Sequence, residues 1–247
     1  MNTVSIYLTD QKEISPNSYK SVTPLDNDFT LTVNSHVKLT PMDGKVFDYV
    51  LSKRPFKRNG VNYLNITIQA DEIIDQFGYK NRTENRRMVM QHIENMVGVE
   101  VLLEWNGGAA SFEMLESFES QGDSNSCKVS LSQSFIDAMD ADVAVERPIN
   151  ISQTMKLKSG YTLELAKVLQ MRGGGADSKT GLPLSVKEIS HTYLCQFLHL
   201  NSESATAISQ IRKSMSQLML YGYPRYKYSS KTKKWKQVGD KKDMETT

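Results

Sequence analysis

Residues 201–238 read NSESATAISQIRKSMSQLMLYGYPRYKYSSKTKKWKQV, and they hold two patterns back to back. In the first, Ile208, Ile211, Met215 and Leu218 recur at steps of three, four and three residues. That spacing predicts one apolar face of a helix, with Asn201 or Ser202 available to cap it. In the second, Tyr226 and Tyr228 alternate with Arg225 and Lys227, and Trp235 stands between Lys234 and Lys236. Period two is strand spacing, so the segment predicts a hairpin with an aromatic inner face and a cationic outer one. The bland account of such a hairpin is a solvated edge kept soluble by its lysines. Its place directly after the best helix of the chain favours a functional account.

Upstream of this pair the same grammar continues. "SGYTLELAKVLQMRG" predicts a helix with Tyr161, Leu165, Val168 and Leu169 on its apolar stripe. "GGADSKTGLP" reads as a flexible connection, and "LSVKEISHTYLCQFLHL" as a further helix whose first part is extended. The order helix, helix, helix, hairpin is that of a winged helix-turn-helix.

The first half predicts a similar order. "LTPMDGKVFDYVLSKRPF" reads as a helix capped by Thr40, started by Pro41 and burying Val46, Phe47, Val50 and Leu51. A short strand over 63–68 precedes a helix from Ala70, which buries Ile73, Ile74 and Phe77 and ends at Gly78. "RTENRRMVMQHIENMVG" adds a helix burying Val89, Ile93 and Met96. "VEVLLEW" and "ASFEMLESF" then flank Asn106-Gly107, a tight hairpin signal. The strand "CKVSLS" and the short helix "QSFIDAM" close this half. The predicted fold class is therefore α+β, with two tandem winged-helix domains. Residues 1–35 form an arm or short edge strands, 36–142 the first domain, 145–240 the second, and 241–247 a disordered tail.

Charge separates the halves. The 247 residues carry a net charge of +2, yet residues 1–142 hold 13 basic and 20 acidic side chains, and residues 143–247 hold 17 and 8. The second half is the one expected to approach a polyanion. The outer face of the last helix offers Ser204, Thr206, Ser209, Gln210, Arg212 and Lys213. Gln210 has the paired donor and acceptor that read adenine, and the wing lysines suit backbone phosphate. In the first domain, Arg82, Arg86 and Arg87 make a basic helix start, suited to phosphate or to subunit contact. The strand near Val99–Trp105 reads as a possible edge for that contact.

Enzymatic chemistry is not expected. His36, His92, His191 and His199 form no close pair, and Cys127 and Cys195 lie at no metal-ligand spacing. "GGGADSKTG" lacks the glycine a phosphate-binding loop needs before its lysine, where Ser178 stands. No cofactor is expected. The two cysteines and the absence of a secretory or membrane-spanning pattern predict a cytoplasmic setting, with nucleoid or plasmid association and no membrane partner.

Several stretches taken in order resemble the replication initiator proteins of bacterial plasmids, the group built from two tandem winged-helix domains. They are "LTPMDGKVFDYVLSK", "ITIQADEIIDQFGY", "NRRMVMQHIENMV" and "INISQTMKLKSGYTLELAKVLQMRG", with Lys158-Ser159-Gly160-Tyr161 the most recognisable part, and finally the last helix with "YPRYKYSSKTKKW". The likeness runs roughly over residues 30–238. It implies binding to directly repeated origin sites in double-stranded DNA, origin opening and recruitment of host replication proteins. It also implies dimers that repress their own gene and monomers that act at the origin. Carried onto this chain, it places DNA contact on Thr206, Ser209, Gln210, Arg212, Lys213, Lys231, Lys233 and Lys234, with Arg82, Arg86 and Arg87 matching in the first domain. The glycine-rich insertion around 173–181 and the acidic first domain depart from the usual pattern. A winged-helix transcriptional regulator and a protein-interaction module are the alternative functions. Salt dependence separates the last from any DNA binder.

Overall fold

A computed structural model of the chain describes residues 11–26, 29–53, 65–122, 125–140, 154–158, 160–173 and 186–238. The expected tail, most of the glycine-rich connection and the domain junction lie outside these residues. The chain divides into two compact units, 1–146 and 147–247. Both mix helices with antiparallel sheet.

In unit 1, strands β1 (Lys12–Ser15), β2 (Ser18–Asp26) and β3 (Phe29–Ser35) precede helix α1 (Pro41–Ser52). Strand β4 (Asn65–Gln69) and helices α2 (Ala70–Phe77) and α3 (Thr83–Glu94) follow. Strands β5 (Glu100–Trp105), β6 (Gly108–Glu113), β7 (Ser117–Ser120) and β8 (Ser126–Ser130) lead to helix α4 (Gln133–Asp140). The helix signals act as expected. Both the amide and the hydroxyl of Thr40 donate to the Asp43 carboxylate at 2.6 Å, closing the start of α1. Gly78 ends α2 at φ 68°, a left-handed conformation that costs glycine nothing.

Residues 1–35, expected as an arm or short edge strands, depart most: β1 is an edge strand, but β2 and β3 lie inside a sheet. β1, β2 and β3 join β5 and β6 in one five-stranded sheet of order β1-β2-β3-β5-β6. β3 and β5 are interior strands, so β5 is not the edge expected at Val99–Trp105, and the edges are β1 and β6. Leu31 pairs with Leu103 and Val33 with Val101, all four buried. Phe112, opposite Val101, packs edge-on against Phe135 of α4, which meets Phe47 of α1. A row of aromatic rings thus fixes the sheet to two helices.

The hairpin assignment also changes. β6 stops at Glu113, and the chain crosses between sheets where Val97 bridges Leu115. β4 pairs with β8, and β8 with β7, in a second sheet of order β4-β8-β7. The hairpin that joins the strand between α1 and α2 is therefore β7–β8, while β5–β6 extends the other sheet.

Unit 2 contains α5 (Gly160–Gly173), β9 (Glu188–Ser190), α6 (His191–Phe197), α7 (Ala205–Met219), β10 (Tyr226–Ser229) and β11 (Lys234–Gln237). Its sheet has the order β10-β11-β9, so the short strand before α6 completes the hairpin. Ala207, Ile211, Met215 and Leu218 of α7 are buried, whereas Ile208 is half-buried. Thr162 of α5 donates to Gln217 at 2.6 Å, and Gln170 donates to the Tyr223 hydroxyl. Tyr161, expected on the apolar stripe of α5, is instead 38% exposed, next to buried Thr162 and Leu163. No helix among the described residues is long and apolar enough to cross a membrane.

Candidate nucleic-acid interface

From Ala205 to Val238 the sequence contains no aspartate or glutamate and eight lysines or arginines. The structure gathers that run into α7 and the β10–β11 hairpin. Ser204 caps α7, accepting from the Thr206 amide at 3.2 Å. The cap is thus neither Asn201 nor Ser202, and the Ser204 hydroxyl is occupied rather than offered outward. Asn201 instead accepts from the Glu203 amide within the preceding turn.

Thr206, Ser209 and Lys213 lie exposed along one stripe of α7. Gln210 flanks the stripe on one side and is half-buried; Arg212 flanks it on the other and is exposed. Two residues along a helix are about 160° apart around the axis, so Gln210 and Arg212 cannot address the same spot. The small hydroxyls between them permit close approach of the helix to another surface.

The hairpin divides as its alternation predicts. Cross-strand partners share a face, so Tyr228 pairs with Trp235 inward, and Lys227 with Lys236 outward. Trp235 is buried, with its ring centre 5.2 Å from that of Tyr228. Lys231 and Lys233 occupy the turn between the strands, and both are exposed.

Two carboxylates temper this cationic surface. Glu188 of β9 lies across the outer face, 2.5 Å from Lys234 Nζ and 3.7 Å from Lys236 Nζ. Those ammonium groups, Lys234 first, hold the Glu188 carboxyl below the ordinary carboxylate value. Glu203, in the turn before α7, lies 3.9 Å from Lys233 Nζ, with both side chains largely exposed. Among the described residues no ion pair involves Arg212, Lys213, Arg225, Lys227 or Lys231. Arg225, Lys227 and Lys236 belong to the outer face although the site reading from sequence left them out; the period-two pattern was the available signal.

One buried side chain ties helix to hairpin. His191, 2% exposed at the start of α6, accepts the Trp235 indole N–H on Nδ1 at 3.2 Å. Its Nε2 then carries the proton and donates to the Ser202 carbonyl, also at 3.2 Å. The backbone amide of His191 donates to the Lys233 carbonyl at 3.0 Å. Hairpin, α6 and the turn before α7 thus meet on one imidazole. Burial pushes its pKa below the ordinary value and outweighs the opposing pull of the Ser202 carbonyl and Glu203.

The arginines of unit 1 are arranged differently. Arg82 occupies the cap position of α3 and is exposed, as is Arg87. Arg86 is committed within the fold: its guanidinium donates to both Asp71 oxygens, at 2.8 and 3.3 Å, clamping α3 to α2. A shallow cleft at the start of α3 is lined by Tyr79, Lys80, Arg82, Glu84, Asn85 and Met88. Glu84 sets a negative charge there. Among the described residues no group of three His, Cys, Asp or Glu side chains is placed to hold a metal.

No protein-family model matches the sequence, and no curated protein does. The fold is similar to that of a solved structure, domains 2 and 3 of RctB in selenomethionine form. The TM-score is 0.56 at 11% identity, over 86% of this chain and 82% of that one. A second crystal structure of RctB domains 2–3 aligns with a TM-score of 0.48 at 10% identity, over 85% of this chain and 79% of that one. At such identity the likeness is one of fold.

Proposed function

We propose that the chain is a sequence-specific double-stranded DNA-binding protein that initiates plasmid replication. Unit 2 is read as a winged helix that sets α7 in the major groove and lays the β10–β11 hairpin along the phosphate backbone. One observation carries this reading: α7 and the hairpin contribute eight lysines or arginines and no acid of their own, and five of those cations have no ion partner among the described residues, Glu188 and Glu203 engaging Lys233, Lys234 and Lys236 alone. Lys227 and Lys236 stand directly opposite each other on it. Like charges so placed cost a hairpin a few tenths of a kcal/mol; Glu188, 3.7 Å from Lys236, offsets part of it, and a polyanion relieves the rest. Thr206, Ser209 and Gln210 face bases in this reading, while Arg212, Lys213, Arg225, Lys227 and Lys231 hold phosphates.

Initiation, binding to repeated origin sites, recruitment of host replication proteins and exchange between dimer and monomer rest on the resemblance to plasmid initiators. Unit 1 is then a second winged helix that supplies subunit contact, and its open strand edges, β1 and β6, are the places for it. Arg82 and Arg87 remain its candidates for phosphate. The protein acts by binding and carries out no catalysis of its own.

Two experiments divide the reading. Selection of random duplexes by the full chain should enrich one motif over background; enrichment of none would remove sequence-specific binding. A plasmid carrying only this gene and its flanking DNA should then be maintained in cells. A protein that binds a motif there but does not sustain the plasmid is a regulator rather than an initiator.

A further inference from the structure

The far end of α7 is built unlike the rest of the cationic surface. Leu220 is 83% exposed, Met219 45% and Tyr161 of α5 38%. Leu220 and Tyr161 come together because Thr162 bonds Gln217, three residues before Leu220, and the Tyr221 hydroxyl donates to the Lys156 carbonyl; Met219 adjoins Leu220 in sequence and extends the surface around α7. The patch is therefore one surface drawn from two segments. Lys156 and Lys158 are exposed beside it, and residues 154–158, 160–162 and 216–222 contain no acid. Exposed leucine and methionine gain little from water, and apolar groups of this kind mark contact surfaces.

Its position and chemistry narrow the occupant. From Thr206 to Met219 a helix rises about 20 Å, so the patch lies well away from the end assigned to the bases. Aliphatic side chains offer nothing to phosphate, which argues against duplex DNA as occupant. A second copy docked by the same patch would bring lysine rim against lysine rim. A protein segment with apolar anchors and acidic flanks satisfies both the apolar centre and the cationic rim.

We propose that the C-terminal end of α7 is a docking surface for an acidic amphipathic segment of a partner protein, anchored on Leu220 and Met219 and rimmed by Lys156 and Lys158. The site stands apart from the DNA-binding reading and survives its failure.

The test is selection of a displayed library of random 16-residue peptides against the full chain, with Leu220→Gln/Met219→Gln protein for comparison. Glutamine avoids placing a negative charge at the helix C-terminus. Enriched peptides should carry two apolar residues three or four positions apart, flanked by acids. Synthetic versions should bind the double variant at least about tenfold more weakly in anisotropy titrations. Lys156→Glu/Lys158→Glu should abolish the preference for acidic peptides, and both variants should melt and bind duplex DNA as the parent does. Absence of enrichment, or equal binding to parent and variants, overturns the proposal. So does displacement of the peptides by duplex DNA. Loss of self-association in sedimentation of the Leu220→Gln/Met219→Gln protein would assign the patch to a second copy and overturn it too.

Discussion

Replacing Lys227 and Lys231 by alanine tests whether the outer face of the hairpin follows the DNA backbone. Arg212, Lys213, Arg225, Lys227 and Lys231 enter no ion pair among the described residues, so each is available to one phosphate. With about 5 phosphates neutralised, log affinity should fall with log salt at a slope of about −4.5. Between about 50 and about 200 mM salt that is a loss of roughly 500-fold. The double variant keeps three such cations, for a slope of about −2.7 and a loss of roughly 40-fold over the same range. Lys234→Ala should move the slope less than either single change, because Lys234 is already held by Glu188. Anisotropy titrations of the full chain with labelled cognate and random duplexes, at several salt concentrations, give each slope directly. A double variant that keeps the parental slope while losing affinity would place these lysines off the backbone. A parent whose affinity barely responds to salt would remove the electrostatic reading altogether.

Four further outcomes are expected. Gln210→Ala should lose about 1–3 kcal/mol of discrimination at one base position and leave affinity for random duplex unchanged, as read by titration against single-base variants; equal weakening on all duplexes would strip Gln210 of a reading role. His191 has a lowered pKa, so its stabilising contribution is complete above its ordinary value of about 6.5 and is lost as pH falls below that. Thermal melts from pH 8 to pH 5 should therefore show a steeper loss for the parent than for His191→Gln, whose amide can keep both hydrogen bonds, and parallel profiles would count against the imidazole. Leu31→Ala should cost about 2–5 kcal/mol in chemical denaturation, since Leu31 is a core side chain of β3, and a negligible change would return β3 to the status of an arm. Arg86→Ala should leave the salt slope of DNA binding unaltered because its guanidinium already serves Asp71, whereas a slope reduced by about one unit would assign Arg86 to phosphate.

The helices and the second hairpin were legible because their signals are local. Pro41 after Thr40, Gly78 after Phe77, and the alternation around Trp235 each act within a few residues. Strand pairing is not local. Leu31 and Val33 do alternate, but nothing in 1–35 announces that their partners stand some seventy residues away, at Leu103 and Val101. The same gap misassigned β5–β6, whose tight Asn106-Gly107 turn fixes the hairpin and not the sheet it joins. Site residues divided along the same line. Exposure of Thr206, Ser209 and Lys213 follows from helical periodicity. The engagement of Arg86 by Asp71, and of Lys234 by Glu188, depends on which elements pack side by side. Ser204 was misread because two earlier polar residues offered equally plausible caps, and only the backbone path decides among them.

A hairpin so rich in like charge must be held from its other face, and magnitudes show that it is. A tryptophan buries about 150–250 Å², which at about 25 cal/mol/Å² is a gross gain of roughly 4–6 kcal/mol. Trp235 is 1% exposed, and Tyr226 and Ile189 are buried on the same inner face. The Lys227–Lys236 repulsion, a few tenths of a kcal/mol, is an order of magnitude smaller. Packing therefore wins, and the cations are presented by a fold that does not need DNA to form. His191 adds direction to that stability. By accepting from Trp235 and donating to Ser202, it fixes the hairpin relative to the turn that starts α7. The hairpin and the turn that starts α7 are thereby held together, and a duplex bound as proposed would meet them with little further ordering to offset against the contacts made.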